Sequence, residues 1–595
     1  MIDKQGLKKI PYGVSDYNDF QESNLYYVDK TRFIRNIEEK GKFLFLIRPR
    51  RFGKSLLLSI LESYYDIDRK DRFDLLFNGT DIHRNPTLYK NHYMILTLDF
   101  SVVTADIEGV EKAFLTRIKN AANAFMTKYE KYLGIDTRAA KKDFNSKETA
   151  SEVMDTFLNY CLNREHKIYT IIDEYDNFAN TILAEYGAAE FEKITHGTGF
   201  LRSFFNVLKA GTSRTDAPIS RLFLTGVSPI TLDDVTSGFN IATNISLDSD
   251  INEIMGFTYT EVEIMIEYYR QTGKIRHSTP GLLELMSQWY NHYRFSTRAN
   301  GEVFNSVYVL YFLNKYLVDS AIPDTLIDSN ARIGYDKLRH LVLVDKEGAR
   351  RSNGNFSRFQ HIIETGKAQS PIETSFPIAR LAHAKNFISL LFYFGLLTIR
   401  GMDEENTPVL AIPNEATKRL YYDYIAETYD EIEIFSLNQD TYTERMKGMA
   451  FKGHWEPFIK FIADCMEASL GLRDLLDGEK SHQVFWQVYM GLSLLYNVYS
   501  EKEMNQGFCD LVLEPLLANY PGIKFSYLVE LKYLKPTEYE KEGREEKIEA
   551  LRLEAETQLN RYSLDNKFQN TIGKTTLKKL VLIFSGNRLV HSSSS

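Results

Sequence analysis

The chain has 595 residues, of which 44% are hydrophobic, 13% aromatic and 26% charged. It is too long for one hydrophobic core and too apolar for disorder, so about three or four folded units are expected. A net charge of −8 excludes attraction of the whole molecule to nucleic acid, though it leaves room for local basic grooves or metal-assisted phosphate contact.

The first residues, MIDKQGLKKIPYG, lack the apolar core of a signal peptide, and no uninterrupted apolar run is long enough for a bilayer, so a cytoplasmic protein without a membrane partner is expected. Cys161, Cys465 and Cys509 lie far apart, which argues against a disulfide framework or a zinc ribbon and fits a reducing compartment. There is no repeat of fixed period, and the closing SSSS is expected to be a tail over 591–595.

Residues 1–265 alternate short apolar runs (KFLFLI, YMILTLDF, KIYTIIDEYD, RLFLTGVSP) with amphipathic stretches, which predicts an α/β domain with a parallel sheet covered on both faces. In LFLIRPRRFGKSLLLSILESYY, Leu44 to Tyr65, a buried strand passes through a tight loop into a helix. Such a loop offers free backbone N–H groups and the positive end of a helix dipole to phosphate. Gly53 lets the backbone come close, Lys54 would reach the β- and γ-phosphates, and the Ser55 hydroxyl would ligate Mg²⁺. GKS alone meets by chance in many long chains, and Arg48, Pro49, Arg50 and Arg51 stand where such a loop should open with glycine.

The strand KIYTIIDEYD ends in Asp173 and Glu174, the order in which a phosphate-loop ATPase sets a magnesium-binding carboxylate beside a water-activating one. Two acids at a strand end are more often surface charge or a helix cap, but these follow a phosphate loop and fall at the sheet edge where ligands gather. RLFLTGVSP carries Thr225 and Ser228, either of which has a hydroxyl for the γ-phosphate; Thr225 is the better placed.

Residues 266–374 turn helical, with a polar loop around RRSNGNFSR. Over 375–434 a helix, two short runs around the turn GMDEENTP and a second helix are compatible with a winged-helix fold. An acidic turn is the wrong charge for a DNA-contacting wing, so a packing role is favoured there over a DNA-binding regulator. From 435 to 590 a helical lead-in precedes strand, strand, helix, strand, a second α/β domain.

PYGVSDYNDFQESNLYYVDKTRFIRNIEE followed by RPRRFGKSLLLSIL resembles the AAA-ATPase-like proteins widespread in bacteria, which commonly carry a C-terminal nuclease domain of the PD-(D/E)XK type. RPRRFGKS is the usual loop of that family, and the resemblance extends through IIDEYD, LTGVSPI and GFTYTEV. WYNHYRF, Trp289 to Phe295, resembles a signature usually written with glycine where His292 stands. Arg50 and Arg51 are candidates for phosphate or subunit contact, against the plainer reading of incidental ion pairs.

In YLVELKYL, Glu530 and Lys532 are two apart on a strand and so share a face, which Asp510 of the preceding strand can reach. Alternating charges on a strand are ordinarily a solvated face. The resemblance implies a restriction-endonuclease-like domain in which Asp510 and Glu530 bind Mg²⁺, with Mn²⁺ an alternative, and Lys532 orients water or stabilises charge. It also implies accessory positions at Glu503, Gln558 and Tyr562, and it puts Phe508 where an arginine often stands. The expected protein is an ATP-binding and ATP-hydrolysing switch joined to a Mg²⁺-dependent nuclease, its partner nucleic acid, DNA ahead of RNA, with self-association left open. The rival is a nucleotide-dependent interaction switch whose nuclease-like domain is inactive.

Overall fold

Phe43–Ile47 is an unbroken apolar run buried from its second residue onward, the pattern of a strand covered on both faces. The computed structural model makes it β1 of a five-stranded sheet completed by β2 (Met94–Asp99), β3 (Ile168–Asp173), β4 (Ile219–Gly226) and β5 (Thr243–Asn244). The order is β2-β3-β4-β1-β5 and every pairing is parallel. The C-terminal ends of β3, β4 and β1 therefore lie side by side, which brings residues separated by more than a hundred positions to one edge. Residues 6–595 are described apart from 102, 104–107, 214, 230–240, 329–354, 378–379, 382, 432–433, 470–471, 473–475, 477 and 506.

Two compact units are present, one made of 1–321, 327–356 and 368–414, the other of 322–326, 357–367 and 415–595. In the first, α1 (Lys54–Tyr65) follows the β1 loop and α2 (Asn177–Tyr186) follows β3. The helix, two strands and helix expected within 375–434 are α3 (Ala384–Tyr393), β6 (Thr398–Met402), β7 (Pro408–Ala411) and α4 (Glu415–Glu431), the last belonging to the second unit. Of the polar stretch RRSNGNFSR, residues 350–354 lie outside the described residues, and Asn355 opens a helix to Thr365.

The second unit continues with α5 (Gln439–Lys452), α6 (Trp455–Ala468) and α7 (Glu479–Gly491), then β8 (Tyr496–Met504), β9 (Gly507–Pro515), β10 (Phe525–Tyr533), α8 (Arg544–Tyr562), β11 (Thr576–Ser585) and β12 (Arg588–Ser594). These strands lie in sequence order, with β10 and β11 parallel and the other pairings antiparallel. Ala555, Leu559 and Tyr562 of α8 pack on Val512, Leu528, Val581 and Ile583 of the sheet, forming its core on that face. The closing serines are not a tail: Ser592, Ser593 and Ser594 pair with Leu582, Val581 and Leu580 in β12. Serine is a poor strand former, but an edge strand is held by the ladder of its neighbour.

His292 explains the glycine of the WYNHYRF signature. Its φ is 77°, a left-handed conformation that costs a side-chain-bearing residue about 1–3 kcal/mol. Its Nδ1 lies 2.6 Å from Glu302 Oε2, an interaction a glycine could not make, and Arg400 holds the other Glu302 oxygen at 2.9 Å.

Candidate active sites

At the β1 edge the loop turns into α1 at Gly53, whose φ of 94° is left-handed and favours glycine. Lys54 follows at the start of the helix, 7% exposed, its ammonium donating to the carbonyls of Arg48 at 3.0 Å and Pro49 at 2.9 Å. Burial pushes its pKa down to about 8, against the pull of Asp173 and Glu174. The Ser55 hydroxyl donates to Asp173 Oδ2 at 2.7 Å, joining α1 to the end of β3. Burial raises the Asp173 carboxyl above its ordinary range, opposed by the Ser55 hydrogen bond and by Lys54. Glu174 takes a left-handed backbone, φ 48°, and its N–H donates to Asp173 Oδ1 at 2.9 Å. Backbone strain of this kind clusters at sites whose geometry is over-determined by their surroundings.

Thr225, at the end of β4 and in register with Leu46 of β1, is fully buried, and its hydroxyl has no hydrogen-bond partner among the described residues. Ser228 is placed differently: its N–H donates to Asp176 Oδ2 at 2.6 Å and its carbonyl accepts from Tyr175. Asp176 also accepts from Val227 N–H and Asn180, so it ties the segment after β4 to the start of α2.

The residue standing where a glycine would open the loop turns inward. Arg48 is 1% exposed; its guanidinium donates to the carbonyls of Ile47 (3.0 Å), Ser246 (2.7 Å) and Ile251 (3.3 Å) and lies 4.3 Å over the Phe295 ring. Phe52 packs edge-on against Tyr293 and Phe295, so the loop and WYNHYRF are one packed assembly. Arg50 donates to Asn177 Oδ1 at 3.2 Å, and Arg51 lies 3.9 Å from Asp328.

In the second unit Asp510 and Glu530 meet on neighbouring strands. Asp510 N–H faces Glu530 Oε1 at 3.4 Å, and Leu531 N–H donates to Asp510 Oδ2 at 2.7 Å. Lys532 Nζ is 3.4 Å from Glu530 Oε2 and 3.7 Å from Glu554 Oε1 of α8. Glu530 and Lys532 are almost buried, at 2% and 9% exposure. Burial raises both carboxyls above their ordinary range, and mutual repulsion adds to the rise at Glu530, so the pair holds on to a proton that exposed acids would lose. Burial alone would lower Lys532, but Glu530, Glu479, Asp510 and Glu554 together outweigh it and keep the ammonium charged.

Two carboxylates offering oxygen donors at this spacing fit a hard divalent cation such as Mg²⁺, which one or two protein carboxylates commonly hold. No group of three or more His, Cys, Asp or Glu gathers at metal-ligand spacing among the described residues. Glu503 is exposed and stands in register with Phe508. The acids acting on Asp510 and Lys532 are instead Glu479 of α7 and, on Lys532, Glu554 of α8, neither of which was expected from the strand pattern. Their helices pack on the sheet through tertiary contacts, and the only local signal was an acid opening an apolar helix. Gln558 is half-buried and its carbonyl oxygen has no hydrogen-bond partner among the described residues, while Tyr562 packs in the sheet core.

Residues 11–236 match the family model described as predicted AAA-ATPase, and residues 477–594 match that of the PD-(D/E)XK nuclease superfamily. A curated relative, an uncharacterised protein of the vnfD 5′ region of Azotobacter chroococcum mcd 1, is 26% identical over 329 residues, which cover 54% of this chain. The chain spans 56% of that relative's length. Two solved structures are similar at 10% identity: the Aeropyrum pernix ORC1 protein in complex with DNA (TM-score 0.26, 67% of this chain and 93% of that one) and Cdc6p from Pyrobaculum aerophilum (TM-score 0.22, 69% and 93%). No helix of the described residues is long and apolar enough to cross a membrane.

Proposed function

We propose that this chain, which carries an AAA-ATPase-like domain and a PD-(D/E)XK nuclease-superfamily domain, binds and hydrolyses ATP and cleaves nucleic-acid phosphodiesters, DNA ahead of RNA, with Mg²⁺. The observation that carries the nuclease half is the pairing of half-buried Asp510 with buried Glu530, the Lys532 ammonium lying 3.4 Å from Glu530. Asp510 and Glu530 would hold the divalent ion, Mg²⁺ or Mn²⁺, which when bound neutralises charge on a scissile phosphate and makes hydroxide available near neutral pH. Lys532, kept charged by its acidic neighbours, orients the attacking water and steadies the negative charge that builds on the phosphate.

In the first unit, the loop backbone at Gly53 and the Lys54 ammonium receive the phosphates, while Ser55 and Asp173 are the residues for the nucleotide's Mg²⁺. Glu174 is the base for the attacking water, and Thr225 the hydroxyl that reads the γ-phosphate. Interactions that differ between ATP and ADP would supply the energy by which nucleotide state regulates cleavage.

The test incubates the purified protein with labelled DNA and RNA, with and without ATP and Mg²⁺ or Mn²⁺, beside Lys54→Ala and Lys532→Ala. Lys54→Ala is expected to lose ATP hydrolysis and Lys532→Ala to lose cleavage while keeping hydrolysis. Variants indistinguishable from wild type in both reactions would refute both assignments.

A further inference from the structure

We propose that Arg50 is a catalytic residue for ATP hydrolysis, its guanidinium meeting the γ-phosphate oxygens from within the phosphate loop, so that one chain completes its own site without an arginine from a second copy. The inference rests on the nucleotide reading above and adds a residue to it.

The loop holds three arginines, and one of them keeps its charge open to a ligand. Arg48 is enclosed by the Ile47, Ser246 and Ile251 carbonyls. Arg51 lies 3.9 Å from Asp328, a carboxylate 1% exposed that also accepts from the Tyr12 hydroxyl at 2.7 Å. Arg50 is half-buried and makes one hydrogen bond among the described residues, 3.2 Å to the neutral amide oxygen of Asn177. It forms no ion pair among those residues, although Asp173 and Glu174 stand just before Asn177 at the end of β3. A guanidinium carries five N–H donors in a planar fork, so an amide that takes one leaves the others for an anion.

The head of Arg50 lies where the reacting end of a nucleotide belongs. Asn177 opens α2; its N–H donates to the Glu174 carbonyl at 3.0 Å and its side-chain amide to the Ser101 carbonyl, just past β2, at 3.3 Å. The amide oxygen is thereby left for the loop, and Arg50 bridges the segments that leave β1 and β3, the second of which carries Glu174. Burial lowers the Lys54 pKa first and Arg50 lowers it further, so the two cations lie in one field. The backbone beneath Arg50 is fixed on both flanks. Pro49 sits against Gly395, where a Cβ would lie 2.9 Å from the proline ring, and Arg51, left-handed at φ 68°, has its carbonyl held by the Ser306 hydroxyl at 3.3 Å. A side chain with one neutral partner on an anchored loop loses little on exchanging amide for phosphate.

In the hydrolysis the γ-phosphorus–oxygen bond breaks and its electron pair stays on the oxygen of ADP, a bond forms from the water oxygen to the same phosphorus, and a water proton passes to Glu174 and then to the phosphate released. Charge in the transition state spreads over three equatorial oxygens, and a fork that meets two of them stabilises that arrangement above the ground state.

The experiment uses the full chain with ATP and Mg²⁺ and compares wild type with Arg50→Met and Arg50→Lys. Arg50→Met is expected to melt within about 2 °C of wild type and to bind ATP within about fivefold, while kcat falls about 10³-fold or more. Its affinity for ADP with aluminium fluoride, a mimic of the transferring phosphoryl group, is expected to fall at least about 100-fold. Arg50→Lys, which keeps the charge without the fork, should lie between the two. Turnover per chain should not depend on protein concentration, and adding Lys54→Ala, which carries an intact Arg50, should not restore Arg50→Met. An unchanged kcat, a raised KM with kcat intact, a kcat loss that comes with loss of ATP affinity and of melting temperature, turnover per chain that rises with concentration, or restoration by Lys54→Ala overturns the proposal and leaves the nucleotide site standing. A wild type that neither binds nor hydrolyses ATP overturns the nucleotide reading itself, and this inference with it.

Discussion

Replacing Arg48 by methionine or glycine should destabilise the first unit, because this side chain holds the phosphate loop from behind. The guanidinium joins the loop to carbonyls about two hundred residues away, at Ser246 and Ile251, and covers Phe295. Hydrogen bonds from a charged donor contribute about 1.5–3 kcal/mol each and a desolvated cation–π pair about 2. Against these stands the cost of burying a cation that no carboxylate among the described residues meets in a hydrogen bond. The balance is a loss of about 2–4 kcal/mol for Arg48→Gly, and about 1–2 for Arg48→Met, which keeps most of the apolar stem. Calorimetry should show the transition of this unit, about four hundred residues, falling by roughly 2–5 °C for Arg48→Gly. ATP affinity, read by titration calorimetry, should fall along with it, since Lys54 is seated on the carbonyls of Arg48 and Pro49. Were Arg48 a phosphate ligand, Arg48→Met would lose ATP affinity tenfold or more with no loss of unfolding free energy in urea; that result would refute the reasoning.

Because burial holds Lys54 down to about 8, nearby phosphates should raise it, so ATP binding at pH 8 is expected to take up protons; a binding enthalpy independent of the buffer's ionisation enthalpy would count against this. Asp510 and Glu530 are raised in the folded protein, so unfolded carboxylates ionise first and metal-free stability should fall as pH rises above the ordinary carboxylate range, whereas Mg²⁺ affinity should climb by up to about tenfold per pH unit as the proton is displaced. Glu530→Gln removes that repulsion and is expected to raise the metal-free melting temperature at pH 8 while abolishing stabilisation by Mg²⁺ or Mn²⁺; thermal scans with and without metal read both. At His292, glycine should be tolerated within about 1 kcal/mol, and valine, which cannot easily take φ 77°, should cost about 2–3, measured by urea denaturation.

What was legible in the sequence follows the range of the interactions concerned. Gly53, Lys54 and Ser55 sit where a strand, a loop and a helix succeed one another locally, and the apolar run before Asp173 marked it as the end of a strand in the same sheet. The meeting of Ser55 with Asp173 needed only the ordering of parallel strands. The spacing of Glu530 and Lys532 showed a shared face because strand periodicity is 2. The inward turn of Arg48 was not legible, since a loop has no periodicity to say which way a side chain points. Glu479 and Glu554 come from helices whose placement against the sheet is a tertiary fact, and the accessory acid expected at Glu503 lies instead across from Phe508. The serines of β12 look like a tail by composition, yet their structure comes from the β11 ladder.

Burial acts on the two sites with opposite sign, and this constrains which ligand each can take. At Lys54 it penalises an ammonium held by carbonyl dipoles, so an anion brought there is stabilising in proportion to the penalty it relieves. At Asp510 and Glu530 it penalises carboxylates, so a cation is favoured and a bare phosphate is repelled by these two acids and by Glu479 and Glu554 around Lys532. One ammonium among four acids leaves a negative site, which a nucleic-acid backbone can approach only if a divalent ion offsets the charge. Nucleotide binding at the first site should therefore survive removal of divalent metal in weakened form, because Lys54 and the helix N-terminus remain. Phosphate binding at the second site should not survive it. Titrating a chelator should accordingly separate the two activities, with cleavage failing at a higher free-metal concentration than ATP binding does.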